Sequence, residues 1–248
     1  VTFRATPING RWDIRELSTI TDVGTLTMRG QWRPGIKPNV EYDVEFNVED
    51  VGQYLFSFDG SEHIDGGSGR LTGAVSWQGS PFSLDLETLN GTLNLEVRDG
   101  RFLKINPGAG HIISLLSLQA LPRRITLDFR DVFSSGFSFD QITSDVIITN
   151  GVVRTDKLLM DGTSASVAIT GSANLVRKDQ DLEVFVTPKI SGAASVAGAV
   201  AANPAIGLAA YLAQKLLGNP FDKIATRHYR VSGNWSEPDV TRVQRDLE

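Results

Sequence analysis

Apolar and polar residues alternate along most of this chain, with the two-residue period of a β-strand that has one apolar and one polar face. The clearest case is residues 40–49, where five apolar residues alternate with four acidic residues and an asparagine. Residues 93–98 alternate in the same way. About thirteen such segments are spread over the 248 residues, which predicts a mainly β protein built on antiparallel strands.

The same pattern, interrupted by turn signals, predicts the other strands. They are expected at residues 26–32, 71–77, 82–86, 125–129, 136–139, 146–149, 158–160, 167–175, 182–186 and 229–235, with a strand or a short helical turn at 8–17. Asp99-Gly100 and Asn150-Gly151 are predicted hairpin turns, because glycine accepts the positive φ that such turns require. Residues 59–70 contain four glycines and are predicted to be a loop.

Three segments have a helical pattern instead. Residues 49–58 carry apolar side chains at i, i+3, i+4 and i+7, and residues 112–121 form an apolar run that ends before Pro122. Residues 192–218 are rich in alanine and glycine and are predicted to form a helical hairpin, broken at Asn203-Pro204. We favour this hairpin over a membrane span because the break falls in the centre of the apolar stretch. The helical positions expected to cap the sheet or lie near a membrane are Val51, Leu55, Phe58, Ile112, Leu115, Leu116, Ile206, Leu208, Leu212 and Leu216.

A short glycine motif recurs on the apolar side of the predicted strands. The pattern apolar–x–Gly–x–apolar occurs at residues 28–32, 71–75, 89–93, 169–173 and 231–235. A glycine on a strand face leaves room for a sharp bend or for the close approach of another group. Its repetition predicts a sheet that curls about one axis.

The length of the sheet bears directly on function. Thirteen strands about 4.8 Å apart would make one sheet roughly 60 Å long, and the predicted helices have too few apolar residues to cover it. Two alternatives remain: two sheets that bury each other, or one apolar face that lines a groove. The predicted groove lining is Val40, Tyr42, Val44, Phe46, Val48, Leu93, Leu95, Val97, Leu127, Phe129, Val146, Ile148, Val167, Ile169, Val184 and Val186.

Composition and missing motifs exclude several classes of function. The net charge of −5 argues against a nucleic-acid-binding surface, and the absence of cysteine excludes disulfides and thiolate metal sites. The three histidines lie far apart, and the acidic, glycine-rich stretch 59–69 fits neither calcium-loop template. We therefore expect no metal, no cofactor and no enzymatic activity. Because the chain begins at Val1 without a signal peptide, we expect a mature or excised piece of a longer protein.

From residue 71 onward the chain resembles the C-terminal region of the YhdP family, within the AsmA-like group of Gram-negative envelope proteins. The segments that carry the resemblance are residues 71–77, 89–93, 100–102, 108–110, 113–124, 127–133, 136–140 and 229–238. The most specific block runs from Leu118-Gln-Ala-Leu-Pro122 to Leu127-Asp-Phe129. The first seventy residues match less sharply, so the start of a groove within them is not defined.

The resemblance implies a long sheet folded lengthwise into an apolar trough, a single AsmA-like domain over 1–248 that is the C-terminal part of a longer chain. It also implies phospholipid as the ligand, transport between the inner and outer membranes, and a periplasmic location. The chain would then be the distal segment, ending at the outer membrane or an outer-membrane protein, with its membrane anchor elsewhere. The alternative is a β-sandwich structural or interaction module of the envelope with no lipid groove.

Overall fold

The computed structural model describes residues 1–60, 62–103, 136–189 and 226–243. Within that part of the chain, twelve strands and one helix alternate with turns and connections. In chain order they are β1 Thr2–Ile8, β2 Arg11–Thr21, β3 Gly24–Arg33, β4 Asn39–Val48, α1 Val51–Asp59, β5 Ile64–Gln78, β6 Asn90–Phe102, β7 Phe137–Thr149, β8 Val152–Gly162, β9 Ala165–Asn174, β10 Asp179–Pro188, β11 Arg227–Asn234 and β12 Asp239–Arg242.

All twelve strands belong to one antiparallel sheet whose spatial order is the order of the sequence, β1 to β12. Each strand pairs only with its neighbours in the chain, so β1 and β12 are the two edges. This confirms the predicted mainly β fold with a long antiparallel sheet and few helices. The strands form one hydrogen-bonded sheet, not the two separate sheets of the sandwich alternative.

The two ends of the strands differ in their connections. At one end, here called the hairpin end, β1–β2, β3–β4, β5–β6, β7–β8, β9–β10 and β11–β12 are joined. At the other, the helix end, two tight turns join β2 to β3 and β8 to β9, and three long connections leave after β4, β6 and β10. The predicted helix 112–121, the hairpin 192–218 and the strand 125–129 lie outside the described residues.

The sheet has an apolar inner face and a polar outer face. Register partners lie on the same face, so the face that carries Tyr42 can be followed from strand to strand. In the described strands β3 to β10, no Asp, Glu, Lys or Arg occupies an inner-face position. The outer face carries ion pairs such as Arg70–Glu45 and Arg230–Asp181, both at 2.9 Å. Because these pairs are largely exposed, they contribute more to solubility than to stability.

Bulges keep apolar residues on the inner face where the strict alternation fails. Val97 and Phe102 are five residues apart, which would place them on opposite faces of a regular strand, yet both belong to one buried cluster. Asp99, between them, has a φ of 55°, and Gly66 and Gly67 on β5 have φ of 63° and 85°. The predicted hairpin turn at Asp99-Gly100 is therefore wrong. These residues lie within β6, where the backbone irregularity changes which residues point to the inner face.

Four of the five glycines of the repeated motif lie where neighbouring strands approach closely. A Cβ on Gly30, Gly73, Gly91 or Gly171 would collide with a backbone carbonyl oxygen of the neighbouring strand. Gly73 and Gly171 also have φ of 151° and 130°, which L-residues rarely adopt. These four positions therefore have no room for a side chain, because the backbone of the neighbouring strand occupies its place.

Several element boundaries differ from the prediction. Residues 64–69 begin β5 instead of belonging to a loop, because Gly66–Gly69 follow the kinked part of β6. Residues 82–86 alternate but lie in the β5–β6 connection, and 8–17 contain the end of β1, a turn and most of β2. The predicted strands 136–139 and 146–149 are one strand, β7. Helix α1 is confirmed, with the Asp50 carboxylate accepting from the backbone N–H of Gln53 as its N-cap.

Candidate functional site

The structure places all fourteen described residues of the predicted groove lining on the inner face, linked by register pairs from β4 through β10. Nine of them are buried: Val40, Tyr42, Val48, Val97, Ile148, Val167, Ile169, Val184 and Val186. The other five, Val44, Phe46, Leu93, Leu95 and Val146, are partly exposed. Leu127 and Phe129 lie outside the described residues. Contact with lipid remains a prediction for every member of this set.

Two hydrophobic clusters occupy opposite ends of the inner face. The hairpin-end cluster consists of Ile14, Val40, Tyr42, Trp77, Leu89 and Ile148. The helix-end cluster centres on Val97, Ile142, Met160, Val167 and Val186, and continues into β10–β12 through Val184, Tyr229 and Val240. Among the described residues, the buried apolar side chains therefore pack into two separate groups.

Between the clusters, the centre of the inner face is less buried than its ends. On β4, Val44 and Phe46 are partly exposed, whereas the next inner-face residues toward each end, Tyr42 and Val48, are buried. Leu71 on β5 and Leu93 and Leu95 on β6 continue this row of partly exposed apolar side chains, here called the band. The band closes at β9 and β10, where the inner-face residues at the same distance along the strands are buried. A filled sandwich core shows the opposite profile, with its central residues the most buried. The band from β3 to β8 is therefore the candidate functional site.

Helix α1 packs against this face at the helix end. The Tyr54 ring meets the Phe46 ring edge-on, with centroids 4.9 Å apart. Val51 and Leu55 pack against the helix-end cluster, and a Cβ on Gly69 would lie 3.0 Å from a Val51 methyl carbon. Val51 and Leu55 thus contact the inner face, and their role as a cap stays a prediction. The side chain of Phe58, together with Ile112, Leu115, Leu116, Ile206, Leu208, Leu212 and Leu216, lies outside the described residues.

At the hairpin end, the β5–β6 connection, residues 79–89, contacts inner-face side chains of distant strands. The indole N–H groups of Trp32 and Trp77 donate to the carbonyl oxygens of Gly79 and Ser80, each at 3.0 Å. The Phe82 ring meets the Phe3 ring of β1 at 4.9 Å, although three strands separate β1 from β5 in the sheet. This connection therefore closes over the inner face, while Phe82 itself stays 67% exposed.

A buried hydroxyl without a partner lies in the hairpin-end cluster. Tyr42 is 2% exposed, and its hydroxyl has no hydrogen-bond partner. Burial raises its pKa to about 12, because the low-dielectric surroundings disfavour the phenolate. The phenol is therefore neutral throughout the physiological pH range.

This pKa predicts a stability loss at high pH that Tyr42→Phe lacks. The folded state keeps the Tyr42 proton between the unfolded-state value of about 10 and the folded value of about 12, so the unfolded state binds fewer protons in that window. The Tyr42 contribution is complete below pH 10 and disappears as the pH rises toward 12. Urea unfolding between pH 9 and 12 should show a steeper loss in the unchanged chain than in Tyr42→Phe; parallel curves would contradict it.

The outer face has a depression of a different character. It measures about 920 Å³ and crosses β2 to β6, where polar side chains such as Asp13, Arg29 and Glu41 form much of its wall. Gln31 donates to the Glu41 carboxylate within it. Charged walls exclude acyl chains, so this depression is not a candidate lipid site.

The described ranges contain neither a metal site nor a membrane-spanning helix. No group of three or more His, Asp or Glu in them is arranged to hold a metal ion. No helix among them is long and apolar enough to cross a membrane.

The sequence prediction missed much of the inner face. The omitted members include Ile14, Met28, Leu71, Trp77, Phe137, Phe139, Ile142, Leu158, Met160, Leu182 and Tyr229. Met28, Leu71 and Trp77 sit beside the repeated glycines, and extending the register from strand to strand through those glycines would have found them. Ile14 and Phe139 lie directly before bulges of β2 and β7, which alternation alone does not reveal.

A family model described as YhdP protein matches residues 1–240. The chain belongs to the YhdP family. One curated relative, the intermembrane phospholipid transporter YhdP of Escherichia coli (strain K12), is 42% identical over 172 residues. The match covers 69% of this chain and 14% of the relative, so the chain spans only a small part of that protein. No solved structure matches the chain. The YhdP family model also covers the first seventy residues, where the sequence resemblance was weakest.

Proposed function

We propose that this chain is a segment of an intermembrane phospholipid transport protein, in which the inner face shields acyl chains from water. The observation that carries the proposal is the partly exposed apolar band across β3 to β8, between two buried clusters. The relative's description as an intermembrane phospholipid transporter supports phospholipid as the ligand class.

The chemistry of the inner face suits acyl chains. Its described strands β3 to β10 present no ionised side chain, and its glycines remove side-chain volume along the strand centres. Each methylene moved from water to an apolar surface contributes about 0.8 kcal/mol. A chain of sixteen carbons would therefore gain roughly 10 kcal/mol if fully covered. The partly exposed side chains of the band are the ones that gain most from such cover.

The same face permits movement. From β3 to β8 the band presents similar aliphatic and aromatic side chains on successive strands about 4.8 Å apart. Passage along a path requires sites that bind without holding too tightly at any one position. A row of near-equivalent apolar contacts meets this requirement, because sliding by one strand exchanges one set of contacts for another of the same kind.

The location and partners follow from the same proposal. A segment of an intermembrane carrier would work in the periplasm, as the distal part of an anchored protein that reaches the outer membrane or an outer-membrane protein. In that position it would support the outer-membrane permeability barrier. The helices predicted in the long connections at the helix end would cap or gate the face. Contact of Val51 and Leu55 of α1 with the helix-end cluster supports this role.

Native mass spectrometry of the purified 248-residue chain tests the proposal. We expect adducts whose masses match phospholipids, and we expect dissociation of these adducts in the gas phase to release the lipid. The purified chain should also take up lipid from vesicles of phosphatidylethanolamine and phosphatidylglycerol. A folded chain that carries no lipid after purification and takes up none from these vesicles would leave the structural or interaction module as the better account.

A further inference from the structure

The inner face has an unequal distribution of polar groups along its strands. Register partners connect Tyr42 through Val75, Gly91, Ile148, Val153 and Ala173 to Gln180 on β10. We call this line of residues the Tyr42 row. Tyr42 is 2% exposed and Gln180 is 5% exposed, and neither the Tyr42 hydroxyl nor the two amide atoms of Gln180 have a hydrogen-bond partner.

These unpartnered groups are costly in a closed apolar face, because buried donors and acceptors normally find partners. Other buried polar side chains do find partners: the Ser144 hydroxyl on the inner face lies 3.0 Å from that of Thr155. His63 is also buried without a hydrogen-bond partner, but it precedes β5, which begins at Ile64, and so belongs to neither face of a strand. On the described inner face, the unpartnered buried polar side chains thus lie on the Tyr42 row.

A row of tryptophans lies one step nearer the hairpin end. Trp12, Trp32 and Trp77 are joined by register pairs through Val40, and Trp235 follows β11 at the same end of the sheet. All four tryptophans of the chain are therefore at the hairpin end. Tryptophan favours boundaries between apolar and polar surroundings, because its ring is apolar and its N–H is a donor. This placement marks the hairpin end as the polar side of the inner face.

In the opposite direction the described inner face of β3 to β10 is apolar except for the paired hydroxyls of Ser144 and Thr155. From Tyr42 to Val48, six residues along β4, the inner face extends for about 20 Å. One leaflet of a bilayer has about 15 Å of hydrocarbon, half of the roughly 30 Å of the whole core. The inner face between the Tyr42 row and the helix-end cluster is therefore long enough for an acyl chain that lies along the strands.

We propose that the Tyr42 row binds the glycerol ester carbonyls of a diacyl lipid, so that the lipid's polar end faces the hairpin end and its acyl chains run toward the helix end. This deepens the proposed function and depends on it. The Tyr42 hydroxyl and the Gln180 amide each donate to an ester oxygen at their own position, about 29 Å apart across six strand spacings. The two groups lie at the same level along the strands, so a lipid bound at either has the same orientation. The inner face of β9 and β10 is closed in this structure, so an acyl chain reaches the Gln180 position only when that part of the face opens.

The test compares two probes of identical headgroup and chain length: dipalmitoyl phosphatidylglycerol and its dihexadecyl ether analogue, which lacks both carbonyls. Binding is measured by displacement of a fluorescent lipid from the 248-residue chain. We expect the unchanged chain to prefer the diester three- to tenfold, the range of one or two net hydrogen bonds. Tyr42→Phe and Gln180→Leu should each reduce this preference, and the double variant should bring it close to one.

Tyr229→Phe is the matched control, since Tyr229 is equally buried at 2% but lies on β11 in the helix-end cluster. It should keep the ester preference of the unchanged chain. Equal binding of diester and diether by the unchanged chain would overturn this inference and leave the proposed function standing. No binding of either probe would overturn both. If Tyr42→Phe does not fold, the ester–ether ratio of the unchanged chain and of Gln180→Leu still decides.

The proposed orientation of the bound lipid is tested separately, by photolabelling. A phosphatidylglycerol with a diazirine at the end of one acyl chain should label the helix-end residues Val97 and Ile142 in preference to Ile148 at the hairpin end. The reverse preference would overturn the proposed direction of the lipid. Labelling of both ends in equal amounts would do the same.

Discussion

Replacing Leu93 with Asp is expected to lower the amount of lipid bound to the chain at least tenfold. Leu93 lies at the centre of the partly exposed band, and its register partners are Gly73 and Val146. A carboxylate at this point would have to lose water to an acyl chain, and a charged side chain in a hydrocarbon environment costs roughly 2.5–3.5 kcal/mol. Because the position is partly exposed, the carboxylate remains hydrated without lipid, and the sheet should still fold.

Thr92→Asp is the matched control, because Thr92 is the adjacent residue on β6 and lies exposed on the outer face. Both variants carry the same added charge on the same strand, and only the face differs. Native mass spectrometry should show lipid adducts for Thr92→Asp and few for Leu93→Asp, with matching circular dichroism spectra. In the full-length protein, Leu93→Asp should also increase outer-membrane permeability to large antibiotics. Equal lipid content in the two folded variants would refute the inner face as the lipid site.

Gly73→Ala is expected to destabilise the fold by about 3 kcal/mol or more. Its new Cβ would collide with the carbonyl oxygen of Thr92 on β6, and the φ of 151° is unfavourable for alanine. Strain at such a φ costs about 1–3 kcal/mol, and overpacking against fixed backbone costs a similar amount. Urea unfolding should show the loss as a lower midpoint, with the slope little changed.

Gly79→Ala separates the two causes. Gly79 also has a positive φ, 120°, but an added Cβ there would meet nothing within 4 Å. Gly79→Ala should therefore lower the stability only by the part that comes from backbone strain. If the two variants lose the same stability, the close approach of β5 and β6 at Gly73 is not what requires glycine.

Local patterns in the sequence were sufficient for most of the strands. Alternation over residues 40–49 predicted both the existence of β4 and the side chains that share its inner face, because a regular strand places every second residue on one side. The glycine motif predicted four places where a neighbouring strand approaches closely, since a side chain at those positions would collide with a carbonyl of that strand. The stripe of Val51, Tyr54 and Leu55, together with the Asp50 cap, was enough for α1.

Bulges and long-range contacts were outside the reach of those patterns. An extra residue at Asp99 shifts the facing of β6 without any change in composition, so Asp99-Gly100 was taken for a turn. Residues 82–86 alternate like a strand but lie in the β5–β6 connection. That connection is held by hydrogen bonds from Trp32 and Trp77 to its first two residues and by the contact of Phe82 with Phe3, 79 positions away in the chain. The central band of partial exposure depends on how the whole sheet curls, and no local window contains that information.

The strict agreement between strand order and sequence order bears on how the protein is made. Since each strand of the described sheet needs only the strand before it as a template, the sheet can grow by one hairpin at a time while the chain is still being synthesised or translocated. Such growth leaves one exposed leading edge at every stage and requires no threading past finished parts. Lengthening or shortening the protein over evolution then amounts to adding or deleting hairpins, with the rest of the assembly unaltered.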